Sequence, residues 1–293
     1  MSKKAMKSPW MIEFRHLVHD LAGAFLFGMP FLYTMEVWWR GNTAGPPRML
    51  LGLGLTYVAL VVLEHAASAR FDSPAPWPRA LTEAAQALAT GLVAAALGLT
   101  IIGFLRPEAG LHAVVGRVVM EGLPFSLGVG LADFLLGEKE DGGHEKGGGK
   151  PGAEKKADEG MGRRMWSRAG ATALGATAVA LTLAPTLEIP LIASGLGYPH
   201  LLGMICASLV ITYMIVFASN FVATEARREH GGGFDAPLVE TITSYVVSLL
   251  MAAGMLWLFQ MLDAGDPPGQ WASYIIVLGL PASVGGAAGR LAV

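Results

Sequence analysis

The chain carries a single cysteine, Cys206, in 293 residues. That excludes an intramolecular disulfide and every CxxC metal or redox site. Charge is scarce as well: 15% of residues are charged, 21 basic against 23 acidic, for a net charge of −2. There is no basic patch with interleaved aromatics, so the sequence gives no nucleic-acid partner. A phosphate-binding glycine loop, a haem motif and a nucleophile–base constellation are also missing. The basic start of the chain (Lys3, Lys4, Lys7, Arg15) precedes an apolar block too long for a signal-peptide core, and no small-residue cleavage pattern follows it.

Apolar side chains are what the sequence has in abundance, at 53%. They fall in blocks of about 20, the length a helix needs to cross hydrocarbon. The expected fold is therefore all-α and polytopic, with about eight transmembrane helices. The spans are read at 17–39, 48–66, 81–105, 112–136, 169–189, 200–223, 238–262 and 271–291. Gly45-Pro46-Pro47, the prolines from Pro74 to Pro78, and Asp266-Pro267-Pro268-Gly269 punctuate them. Cytoplasmic loops collect Lys and Arg. With the N-terminus inside, Arg70, Arg79, Arg227, Arg228, Arg290 and the basic residues of 137–168 all fall on that side, and only Arg40, Arg48 and Arg106 fall outside. Both termini are expected in the cytoplasm.

Residues 137–165 are glycine-rich, charged and aperiodic, and are read as a flexible cytoplasmic linker. They separate 1–136 from 166–293, and these two stretches correspond in order. Thr34-Met35-Glu36 matches Thr186-Leu187-Glu188, with Gly23-Ala24 and Gly175-Ala176 thirteen positions before each glutamate. Thr56-Tyr57 matches Thr212-Tyr213, and Phe71-Asp72-Ser73-Pro74 matches Phe234-Asp235-Ala236-Pro237. Leu81-Thr82-Glu83 matches Leu238-Val239-Glu240, and Gly122-Leu123-Pro124-Phe125-Ser126 matches Gly279-Leu280-Pro281-Ala282-Ser283. Ordered matches of this kind indicate duplication. Four spans per copy is an even number, so the expectation is two parallel four-helix repeats about a pseudo-two-fold axis along the membrane normal.

The run Phe27-Gly28-Met29-Pro30-Phe31-Leu32-Tyr33-Thr34-Met35-Glu36-Val37-Trp38-Trp39 resembles a bacterial family of integral membrane proteins of unknown function. The resemblance implies a bacterial inner-membrane location and supplies no activity. Thr34 to Trp38 is also similar to the Thr-x-Glu-x-Trp filter of voltage-gated cation channels, here inside a spanning helix.

Ionisable side chains at membrane depth are functional candidates by default. Glu36 and Glu188, each two positions after a threonine (Thr34, Thr186) and close to prolines, form an oxygen-rich setting suited to a hard cation. The bland alternative is that both reach the outer interface beside Trp38 and Trp39. Glu83 and Glu240 open spans three and seven, either as helix-start acids or as an inner acidic pair on the same route. Arg117 and Glu121 lie four apart on one face of span four and are expected to pair, either as a structural buried pair or for gating or proton relay on the ion pathway; the second copy has Tyr274 and Leu278 there. His16, His19 and Asp20 at the inner end of span one, with Glu64 and His65 at the inner end of span two, are either interface residues or a transition-metal site. The Gly-Leu-Pro-x-Ser strings are either breaks lining a pathway or small-residue packing.

These observations set two expectations. The first is a cation channel or secondary transporter, with an inorganic cation as ligand, no evident cofactor beyond a bound cation, and a homodimer in the bilayer. The second is a membrane-embedded metal-dependent enzyme or sensor using the His/Asp/Glu cluster.

Overall fold

The computed structural model describes residues 9–68, 76–136, 157–227 and 235–291. Among these residues the only regular structure is helical. In chain order the α-helices are α1 (Pro9–Leu32), α2 (Met35–Thr43), α3 (Pro46–Ser68), α4 (Trp77–Ile101) and α5 (Leu111–Leu136). They continue with α6 (Ala157–Leu183), α7 (Glu188–Ser194), α8 (Tyr198–Arg227), α9 (Asp235–Leu258) and α10 (Pro268–Leu291). A short 3-10 turn, Pro107–Ala109, precedes α5.

Six helices (α3, α4, α5, α8, α9 and α10) are each long and apolar enough to cross a bilayer. The remaining material forms two bent pairs, α1 with α2 and α6 with α7, turning through 85° and 87°. Counted as one span each, they bring the total to eight. The surface agrees with lipid contact. Leu50, Leu51, Leu55, Val58 and Val62 of α3 are exposed, as are Leu238, Val239, Ile242, Val246 and Leu250 of α9. Apolar faces of this extent mark a membrane surface.

Two expectations change here. Spans 17–39 and 169–189 are not continuous helices: the first breaks at Tyr33–Thr34 and the second between Leu183 and Glu188. Proline and threonine near each break outweigh the unbroken apolar run that suggested one helix. In addition, α6 starts at Ala157, so the last part of the expected 137–165 linker is helical; 137–156 lie outside the described residues.

Within each half the packing rests on small residues, which let backbones approach where lipid supplies no hydrophobic drive. Gly23 of α1 packs on Gly128 and Ala132 of α5; Gly175 of α6 packs on Gly285 and Gly289 of α10. Gly122 meets Leu92 of α4, and Gly279 meets Leu249 of α9. These contacts occupy matched positions in the two sequence copies. The register also fixes direction. Gly23 with Ala132 and Gly28 with Phe125 make α1 antiparallel to α5, whereas Gly52 with Leu123 and Leu60 with Gly130 make α3 parallel to it.

The halves meet through α1 against α8 and α10, and α4 against α8. A two-fold axis would require the exchanged set, α6 against α3 and α5, and α9 against α3. Among the described residues none of those is a substantial contact. Between the halves, the substantial contacts of matched helices among the described residues are therefore unequal.

Candidate functional site

The two bends are built alike. In the first, Pro30 interrupts the α1 ladder by removing an N–H. Thr34 is extended, and its backbone N–H bonds Phe31 O at 2.8 Å. Its hydroxyl donates to Pro30 O at 3.1 Å. In the second, the Thr186 N–H and hydroxyl both bond Leu183 O, at 3.1 and 2.7 Å. Each threonine satisfies a terminal carbonyl that the break would orphan. The hydroxyl protons are committed in this way, and the oxygens keep lone pairs.

Past each bend the short helix opens on its glutamate. Glu36 is the second residue of α2 and exposed; Glu188 is the first of α7 and half-buried. An acid there is favoured by the helix dipole. The α2 and α7 helices do not pack together substantially, so the fold puts Glu36 and Glu188 in matched places without joining them through a common helix contact. Gly41 of α2 instead seats against Gly116 and Arg117 of α5, and Trp38 stacks on Phe104 with ring centroids 4.2 Å apart.

Arg117 and Glu121 do not pair. The Arg117 guanidinium donates through Nε to Asn42 Oδ1 at 2.7 Å and through Nη1 to the Phe104 carbonyl. Glu121 is fully buried, and neither carboxylate oxygen has a hydrogen-bond partner among the described residues. The i, i+4 spacing permitted the pair; the α2 and Phe104 acceptors, invisible as neighbours in the sequence, captured the arginine instead.

Glu83 and Glu240 are both salt-bridged, with different partners. Glu83 pairs with Arg79 of its own helix at 2.7 Å. Glu240 is held between Arg168 of α6 and Arg290 of α10, the latter at 3.2 Å, and Arg290 also donates to the Glu240 carbonyl at 2.9 Å. A bare acidic pair on a conduction route is therefore not what this side presents.

His16 is exposed, while His19, Asp20, Glu64 and His65 are half-buried. They sit on α1 and α3, which do not pack substantially on one another. The His65 ring stacks on Trp77, with centroids 4.3 Å apart. Among the described residues no group of three or more His, Cys, Asp or Glu is placed to hold a metal ion.

The sequence reading missed Tyr33 and a set of hydroxyls on α8 and α9. Pro281 lacks the N–H that would bond Val277 O in α10, and the Tyr33 hydroxyl donates to that carbonyl at 2.7 Å. A residue at the first bend thereby repairs a proline break in the other half. Ser208, Thr212, Thr241, Ser244 and Ser248 are all buried nearby in sequence along α8 and α9. Their spacing of three and four was the available signal.

Broken apolar helices, lipid-facing flanks and a buried carboxyl define a polytopic helical membrane protein with polar features set at its helix breaks. The chain belongs to the family described as "Putative integral membrane protein (DUF2391)", whose model matches residues 16–293. No curated protein and no solved structure matches the chain.

Proposed function

We propose that the protein translocates a cation across the bacterial inner membrane, as a channel or secondary transporter. The single observation that carries this reading is the pair of bent spans, 85° and 87°, each opening its short arm on a glutamate. Interrupted helices leave backbone polar groups without partners, which lipid does not tolerate and a protein-lined or watered path does. Discontinuous helices near acidic groups are how secondary carriers hold ions. The ordered matches and the recurring glycine contacts support an origin by duplication, with 1–136 and 166–293 as the copies. The Lys/Arg distribution supports cytoplasmic termini. In a homodimer, four outer glutamates line the two paths or surround a shared one.

The test is flux of radiolabelled sodium or rubidium into proteoliposomes. Glu36→Gln and Glu188→Gln keep size and remove charge; each slows uptake, and the double variant departs from additivity if both act on one ion. Wild-type vesicles no faster than empty ones, or both variants at the wild-type rate, would overturn the reading.

A further inference from the structure

Glu121 lies midway along the span Leu111–Ala132, with no exposed surface and no partner on either carboxylate oxygen. Its orientation follows from its neighbours. Phe125 contacts Gly28 of α1, and Arg117 contacts Gly41 of α2. Glu121 is four residues from each, so it shares their face and sits between the two rungs, level with the α1–α2 bend. One residue before it, Met120 O is freed by Pro124 just as Val277 O is by Pro281. No described side chain donates to Met120 O, whereas Tyr33 serves Val277 O.

The charged and titratable groups around this position are otherwise engaged. Arg117 is bound to Asn42 and Phe104 O. Tyr33, at the bend, is bound to Val277 O. On α2, Glu36 and Arg40 are exposed, as are Arg48 on α3 and Glu108 and His112 around the turn before α5. Arg106 bonds Gly103 O and Gly195 O. The acids, bases and histidines of α4 and the remaining ones of α1 and α3 cluster at the inner ends of those helices. Glu121 forms an ion pair with none of them.

An unpaired carboxylate buried without donors costs several kcal/mol, and a neutral carboxyl avoids that cost. We propose that Glu121 is a proton-binding site, and that loss of its proton draws Arg117 from Asn42 and Phe104 onto the Glu121 carboxylate, linking proton occupancy to the α1–α2 bend. Only an O–H bond forms or breaks: water on one side supplies the proton and water on the other receives it. Arg117 then has two alternative sets of acceptors, one of which ties down α2, and that makes it a two-state element a proton can bias. The proton site stands on its own geometry; its use in coupling rests on the transport reading above.

Infrared difference spectroscopy on the full chain in lipid tests the site. A protonated-carboxyl carbonyl band is expected that shifts in heavy water, disappears as pH rises, persists in Glu121→Asp and is absent in Glu121→Gln. A wild-type band that neither exchanges nor titrates while the protein stays folded, or no such band, would overturn the proposal and make Glu121 a sealed structural acid. In sodium- or rubidium-loaded proteoliposomes with a trapped pH dye, cation-driven proton movement should fall by about two orders of magnitude in Glu121→Gln, the scale on which losing a positioned proton-transfer group acts. Cation flux unaffected by the pH gradient in wild type would defeat the coupling and leave transport standing. A titrating Glu121 band without any cation flux would do the reverse.

Discussion

Replacing Gly175 by alanine isolates the packing argument from every question of function. A Cβ at this position would lie 2.1 Å from Gly285 O and 2.9 Å from the Gly289 backbone. Both neighbours are backbone, so no side chain can rotate away, and α6 and α10 must separate by about 1 Å to restore van der Waals contact. Overpacking of this kind costs about 1–3 kcal/mol. The intrinsic gain of Gly→Ala in a helix is at most about 1 kcal/mol, so the net is destabilising. At Gly203 of α8 and Gly54 of α3 nothing lies within 4 Å of the added carbon, and only the propensity gain remains. Thermal unfolding in one detergent, followed by circular dichroism, should lower the midpoint for Gly175→Ala by a few degrees, roughly 2–4 °C per kcal/mol for a chain of this size. Gly203→Ala and Gly54→Ala should hold or raise it. Gly23→Ala, where the carbon would meet Gly128 O at 2.6 Å, should behave like Gly175→Ala. Equal midpoints for Gly175→Ala and Gly203→Ala would refute the claim that close backbone approach holds the two halves together internally.

Tyr33→Phe removes the donor to Val277 O and leaves that buried carbonyl unsatisfied, a loss of about 1–3 kcal/mol that the same melting assay would register; an unchanged midpoint would mean that the bond is not maintained in lipid. Glu240→Gln removes the ion pairs to both α6 and α10, leaving the Arg290 bond to the residue-240 carbonyl, and should cost about 1 kcal/mol, whereas Glu83→Gln, whose partner Arg79 has a side chain 68% exposed, should change stability by less than about 0.5 kcal/mol. The reverse order would contradict the assignment of Glu240 as the tie between α6, α9 and α10. Arg117→Gln should loosen α2, read as faster amide hydrogen exchange across 35–43 than across the matched segment 188–194, whose C-cap carbonyl is held by Arg106 instead. Equal changes in both segments would place the effect elsewhere.

The legible part of this protein was set by chemistry local to a segment. A run of about 20 apolar residues has to be helical in lipid because every backbone group must find its partner within the segment. Helix content, six of the spans and the ordered matches between copies could therefore be read from one dimension. The bends were less visible. Pro30 and Pro185 lie near the glutamates, yet an apolar run continues through both places, and the turn depends on threonine hydroxyls closing carbonyls that only a formed helix end exposes.

Pairing was decided in three dimensions. Spacing alone joined Arg117 to Glu121 and gathered His16, His19, Asp20, Glu64 and His65 into one cluster. The fold instead gave Arg117 to Asn42 and Phe104, 75 and 13 residues away, and stacked the His65 ring on Trp77. Tyr33 and Val277, separated by 244 positions, could not be linked by any local rule. By itself, the sequence determined that the chain crosses the membrane as helices and that its halves correspond. Only the tertiary structure decided that α1 packs on α8, that two spans break, and that Glu121 is buried with no hydrogen-bond partner among the described residues. The reason is that a buried polar group is governed by whichever partner the packed fold brings within about 3 Å, and that distance is set by how the helices pack.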